Sequence, residues 1–127
     1  MNILDENIIK NQTQLLRGWR ISFRQIGVTI GTEGIKDDEI ISLLHGLQRS
    51  TFFTRDDDFF NRNLCHSKYC IVYLAVRKEE SAIFIRRFLR FKKFNAINKR
   101  LGCVIRITHS GLSVWRKKIE EMEYYTW

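Results

Sequence analysis

The chain contains no proline. Pro-rich linkers, polyproline segments and Pro-punctuated low-complexity tracts are thereby excluded. No apolar run approaches the ~20 residues a membrane-spanning helix needs. The opening Met1-Asn2-Ile3-Leu4-Asp5 has no signal-peptide pattern, so no membrane association is expected. Cysteine is scarce and odd in number, at three, which disfavours a disulfide framework and makes a reducing cytoplasm the expected setting. Glycine is sparse too, at seven residues. The spacing Gly27-x3-Gly31-x2-Gly34 fits neither a dinucleotide fingerprint nor a Walker loop, and no Gly-Lys-Ser/Thr follows it. These glycines read as backbone punctuation. No nucleophile elbow or Ser/His/Asp order is present either.

What is present describes a folded domain. The 127 residues are most simply a single domain spanning 1–127, with the residues from about 117 onward a tail. A hydrophobic fraction of 44% and an aromatic fraction of 13% are too high for disorder. Charge is distributed unevenly. Residues 1–60 carry 7 Lys/Arg against 9 Asp/Glu, a balance of −2, and residues 61–127 carry 15 against 5, a balance of +10. An acidic half joined to a basic half suits an enzyme that holds a cation with carboxylates and attracts a polyanion with Lys and Arg.

The chain reads as alternating strands and helices. Residues 2–5 form a short strand ending in Asp5, followed by a helix that Gly18 stops. Trp19, Ile21 and Phe23 alternate with Arg20 and Ser22 and predict a second strand. Asp37, Asp38 and Glu39 open a helix with an apolar face of Ile40, Leu43, Leu44 and Leu47. Acids in a first helical turn are favoured by the helix dipole alone. Thr51-Phe52-Phe53-Thr54 reads as a buried strand running into Asp56, Asp57 and Asp58, and Asp58 is a candidate cap for a short helix. Tyr69 to Val76 is a central strand apolar on both faces. Glu79 to about Asn98 predicts the longest helix. Cys103 to Thr108 is another strand, and Leu112 to Trp115 returns as a hairpin. This order predicts a three-layer α/β/α domain around a mostly parallel sheet.

With right-handed crossovers, strand ends and helix starts fall on one sheet edge. Asp5, the Asp37–Glu39 group and Asp56 to Asp58 are therefore expected to converge. Mg2+ or Mn2+ takes hard oxygen ligands and keeps several waters, so three or four carboxylates suffice. Such an ion lowers the pKa of bound water and offsets charge on a phosphodiester. A phosphoacceptor receiver domain also places acids after its first and third strands, but the Lys it wants near the fifth strand is missing from Cys103 to Gly111. A zinc site from Cys65, His66, Cys70, Cys103 and His109 is disfavoured. Cys65-x4-Cys70 is a loose ligand pair, and Cys70 and Cys103 fall in strands where free Cys packs as a small apolar residue.

The segments Ile3-Leu4-Asp5-Glu6-Asn7, Asp38-Glu39-Ile40 and Phe53-Thr54-Arg55-Asp56-Asp57-Asp58-Phe59, in this order, resemble the small PIN-like proteins related to VapC-type toxin ribonucleases. The similarity covers about residues 2–60. It implies a PIN fold, Mg2+- or Mn2+-dependent endoribonuclease activity and an acidic quartet, carried over by position as Asp5, Asp38, Asp56 and Asp58. It also implies pairing with a small antitoxin protein. Asp57 stands where the family is variable and often basic. Residues 28–36 match the pattern loosely, which leaves Asp37 and Asp38 both open as the helix-borne ligand.

The expected long helix adds Arg86, Arg87, Arg90, Lys92 and Lys93 beside Phe91 and Phe94. These cations are candidates to track RNA phosphates, with an aromatic available for stacking; a solvated face over core phenylalanines is the plainer reading. The expected function is a metal-dependent ribonuclease, the toxin of a toxin–antitoxin pair. The alternative is a PIN-like module that binds RNA or an antitoxin without catalysis. A second copy of the chain is a further candidate partner.

Overall fold

The computed structural model describes residues 1–127. Strands β1 (Asn2–Leu4), β2 (Arg24–Gln25), β3 (Ser50–Thr54), β4 (Tyr69–Leu74), β5 (Cys103–Ile107), β6 (Gly111–Arg116) and β7 (Glu123–Thr126) form one seven-stranded sheet in the order β2-β1-β3-β4-β5-β6-β7. The first five are parallel, and β6 and β7 are added antiparallel. Helix α2 (Asp37–Leu47) covers one face, burying Ile40 and Leu44 against Ile3, Phe52, Ile71 and Val104. Helices α1 (Lys10–Gly18) and α3 (Ser81–Arg90) cover the other, where Leu16, Phe84, Ile85 and Phe88 meet Leu4, Phe53, Val72 and Ile105. A short helix, α4 (Ile97–Arg100), joins α3 to β5. The arrangement is α/β, with helices on both faces of a mostly parallel sheet.

Period-2 alternation explains how a short apolar strand serves both layers. Phe52 meets Phe59 edge-on at 5.2 Å between ring centroids on one face, and Phe53 meets Phe88 at 6.0 Å on the other. Both phenylalanines of β3 are fully buried. Arg100 is buried as well: its Nε donates to Thr51 Oγ1 (3.0 Å) and its Nη1 to the Phe94 carbonyl (2.8 Å), tying α4 to β3.

Three elements differ from the sequence-based expectation. The second strand is Arg24–Gln25, not Trp19–Phe23. Arg20 takes a left-handed conformation (φ 61°) directly after α1, and Trp19, Ile21 and Phe23 pack against the α1/α3 core instead of joining the sheet. The expected long helix stops at Phe91 (φ −68°, ψ 124°), and only Ile97–Arg100 resumes helical form. The break turns Phe94 fully into the core, where it stacks on Phe88 at 5.8 Å, while Lys92 and Lys93 stay exposed. The expected tail contains β7, whose Glu123 and Tyr125 are half-buried and whose Tyr124 and Thr126 are exposed. Four residues of alternation were too short to stand out beside the charged run Lys117–Glu121.

Two substitutions test this packing. Phe53→Ala is expected to cost about 3–5 kcal/mol in urea unfolding, as for other buried aromatics. A Cβ on Gly111 (φ 153°) would overlap the Tyr125 carbonyl oxygen across the β6–β7 pair. Gly111→Ala is therefore expected to cost at least about 2 kcal/mol, and to speed amide exchange in β7 before the rest of the sheet.

Candidate metal centre at the carboxyl edge of the sheet

The strand order places β1 between β2 and β3, so the chain leaves β1 to one side and returns on the other. Open α/β sheets collect ligands at such a switch point, outside the carboxyl ends of the strands. The loop after β1 organises it. Gln25 donates from Nε2 to the carbonyls of Asp5 (3.1 Å) and Ile8 (2.9 Å). Glu6 accepts the Gly34 N–H (2.8 Å) ahead of α2, and Asn7 accepts the Arg55 N–H (3.2 Å) after β3. Residues Asp5 to Asn7 thus fix the two other segments that carry acids.

Register does the rest. Leu4 pairs with Phe53, which sets Asp5 beside Thr54 one residue further along. Thr54 Oγ1 donates to Asp5 Oδ2 (2.7 Å) and accepts the Asp56 N–H (3.0 Å). Asp5 Oδ1 accepts the Glu6 N–H (2.7 Å). Asp56 in turn caps a 3-10 turn at Asp57–Phe59, its Oδ1 accepting the Asp58 N–H (3.0 Å). The cap is Asp56, not Asp58 as the sequence suggested. These bonds link Asp5 to Asp56 through Thr54, and Asp56 to Asp58.

Asp37, Asp56 and Asp58 each present a carboxylate oxygen, and the three oxygens lie within 4.8 Å of one another. With metal–oxygen bonds of about 2.1 Å, octahedral ligand oxygens stand about 3 Å apart at adjacent positions and about 4 Å at opposite ones. The three carboxylates need only a small closure to hold a hard divalent cation, and no nitrogen or sulfur ligand stands among them. Burial and the charges of Asp56, Asp58 and Asp38 push the Asp37 carboxyl above the ordinary range. A cavity of about 380 Å³ adjoins the trio, lined by the polar Asp37, Asp38, Asp58 and Asn61 and the apolar Ile41, Phe59 and Leu64.

Of the expected quartet, Asp56 and Asp58 meet. Asp38 does not join them: the helix-borne member of the trio is Asp37, while Asp38 Oδ1 accepts the Glu39 N–H (3.0 Å) and lines the cavity. Asp5 stands outside the trio, buried, with both oxygens engaged by Glu6 and Thr54. Burial is the main cause that raises its pKa, with Asp56 and Glu6 adding to it. Asp57 is exposed. Thr54 and Asn7 were not singled out from sequence, although the Thr-Arg-Asp and Asp-Glu-Asn segments contained them.

The basic residues lie elsewhere. Helix α3 begins beyond the carboxyl end of β4 and runs back about 15 Å over the face opposite α2. Arg86, Arg87, Arg90, Lys92 and Lys93 are therefore separated from the carboxylates by the sheet. The Cys and His residues do not gather. Cys70 and Cys103 are buried in the α1/α3 core, where burial raises their thiols, Cys103 to about 11. His109 pairs with Glu80 (2.8 Å) and His66 contacts His45, with ring centroids 4.3 Å apart. The carboxyl end of β5, Ile107 to His109, carries no lysine. No helix is long and apolar enough to cross a membrane.

No family model, curated protein or solved structure matches the chain.

Thr54→Val keeps the shape but leaves the Asp56 N–H and the Asp5 carboxylate without their shared partner. The expected loss is about 1–3 kcal/mol in urea unfolding, with weaker Mn2+ binding by calorimetry. The pH dependence has a definite sign. The Asp37 and Asp5 carboxyls are raised, so their contribution to stability is full below the ordinary carboxyl value of 3.8 and is lost as pH rises through the raised pKa values. A cation that binds the ionised trio acts in the opposite sense. The rise in Tm produced by Mn2+ should be full near neutral pH and disappear as pH falls through the raised Asp37 pKa. Thermal scans with Mn2+ and with EDTA across that range measure it.

Proposed function

We propose that the protein is a divalent-cation-dependent ribonuclease of PIN-like type. The observation that carries this reading is the convergence of Asp37, Asp56 and Asp58 at the sheet's switch point, with oxygens within 4.8 Å of one another. In this reading Asp37, Asp56 and Asp58 hold Mg2+ or Mn2+. Bound there, the ion would supply an activated water and offset charge on the phosphodiester. Asp5 is a positioning residue: through Thr54 it sets the backbone of Asp56, which sets Asp58. Asp38 and Asn61 line the adjoining cavity with Ile41, Phe59 and Leu64, a mixture of polar and apolar groups that suits a base or ribose of the strand to be cut. The PIN-like identity and the role as a toxin with an antitoxin partner rest on the three motifs in residues 2–60.

A second reading keeps RNA and drops catalysis. It is favoured by the separation of the cationic surface from the carboxylates, since a nuclease gains most from cations that line its own cleft.

The assay is cleavage of a fluorescent RNA by purified protein in Mn2+ or Mg2+. EDTA should abolish cleavage, and Asp56→Asn and Asp58→Asn should each lower it by about 100-fold or more, the loss typical of a charge-stabilising group. Asp37→Asn should be more damaging than Asp38→Asn, and Asp57→Asn should remain within about threefold of the parent. Cleavage that survives EDTA and Asp56→Asn would sink the proposal. RNA retained without any cut would install the binding module in its place.

A further inference from the structure

Residues 81–119 contain eleven Lys/Arg and not one Asp or Glu. The fold gathers part of this charge into a groove. A cavity of about 400 Å³ lies along α3, lined by Ile83, Arg86, Arg87, Arg90, Phe91, Lys92 and Trp127. Lys92 also lines a second cavity of about 330 Å³ with Lys93 and Lys99. Lys92 borders both hollows, which places them side by side.

Side chains along these hollows are held but not neutralised. Arg86 lies over the Trp19 ring at 3.7 Å from its centroid, and Arg87 over Trp127 at 4.6 Å. Lys99 Nζ donates to the Lys92 carbonyl and to Asn95 Oδ1, both at 3.0 Å. The ion pairs of the molecule are Arg77–Glu80, His109–Glu80 and Arg116–Glu123, so no carboxylate answers any cation of the groove. Cation–π contact restricts a guanidinium while leaving its charge available, which lowers the entropy lost on binding an anion. Trp127 is half-buried. Its Nε1 donates to the Thr108 carbonyl (2.8 Å), and Phe91 meets its ring at 5.4 Å. Cations interleaved with fixed aromatic rings are what an RNA single strand needs: phosphates meet the charges and bases meet the rings. An acidic peptide would use the cations but has no need of the rings.

We infer that the groove along α3 and Trp127, continued by Lys93 and Lys99, is a binding track for single-stranded RNA that works without the carboxylate centre. The inference shares with the proposed function only the identity of the partner, and it does not rest on cleavage. The track and the trio lie on opposite faces of the sheet, so binding and any metal-dependent step are separable by mutation.

The test is fluorescence anisotropy of a labelled single-stranded RNA of about 12 nucleotides, within the usual footprint of such sites, in EDTA and low salt. Arg90→Glu combined with Lys92→Glu should weaken binding by more than about tenfold. A control of equal charge change on the exposed residues Lys10→Glu and Arg24→Glu should stay within about twofold. The milder Lys92→Ala with Lys93→Ala guards against misfolding. Its salt slope should fall by about 1.4, since each single-strand phosphate contact contributes about 0.7. Equal losses in the groove and control variants, or an unchanged slope in the alanine pair, would overturn the track. Displacement of the RNA by a poly-glutamate peptide at equal charge would overturn its assignment to RNA in favour of an acidic protein.

Discussion

The hydrogen bond between the Thr54 hydroxyl and the buried Asp5 carboxylate, at 2.7 Å, sets the carboxyl edge of this sheet. A carboxylate removed from water is costly unless its oxygens find donors, and Asp5 finds them in Thr54 and the Glu6 N–H. Because Thr54 Oγ1 also accepts the Asp56 N–H, the need to satisfy one buried acid fixes the start of the turn that presents two more. The parallel register of β1 and β3 makes the contact available, since a slip of one residue would turn Thr54 away from Asp5. Burial energy in Phe52 and Phe53 holds that register from both faces.

The separation of acids from bases follows from the same topology. An acid cluster built on the turn after β3 and the start of α2 belongs to the switch point and to the face that α2 covers. A helix that follows β4 on the other face carries its last turn away from that edge. The charge asymmetry of the sequence is thus an asymmetry of place: one surface concentrates negative potential around three carboxylates, the other positive potential along α3. Such a molecule presents two independent faces to a polyanion, one that needs a cation before it can approach and one that does not.

Much of this order was legible in the sequence. The apolar runs in β3, β4 and β5 gave the sheet its centre, and the acids at Asp5 and Asp56–Asp58 marked strand ends because charge cannot continue into a covered strand. Legibility failed where tertiary packing overrode local pattern. Trp19–Phe23 alternates like a strand, but its aromatics are drawn to the α1/α3 core after a left-handed turn at Arg20. Residues 79–98 have helical periodicity, yet burying Phe94 against Phe88 outweighs continuing the helix past Phe91. The four alternating residues of β7 needed β6 beside them to be read as a strand.

The choice between Asp37 and Asp38 shows the limit most sharply. Adjacent residues at a helix start differ by about 100° in direction, so which one faces β3 depends on the angle at which α2 is docked. That angle is set by Ile40 and Leu44 seating against Ile3, Phe52 and Ile71, contacts that no local motif encodes. Once the helix is seated, Asp37 faces Asp56 and Asp58, and its carboxyl is raised by burial first and by their charge second, while Asp38 turns to the Glu39 N–H. The core of one layer thereby decides which carboxylate enters the cluster. Repulsion within the trio is the physical reason a cation would be drawn there.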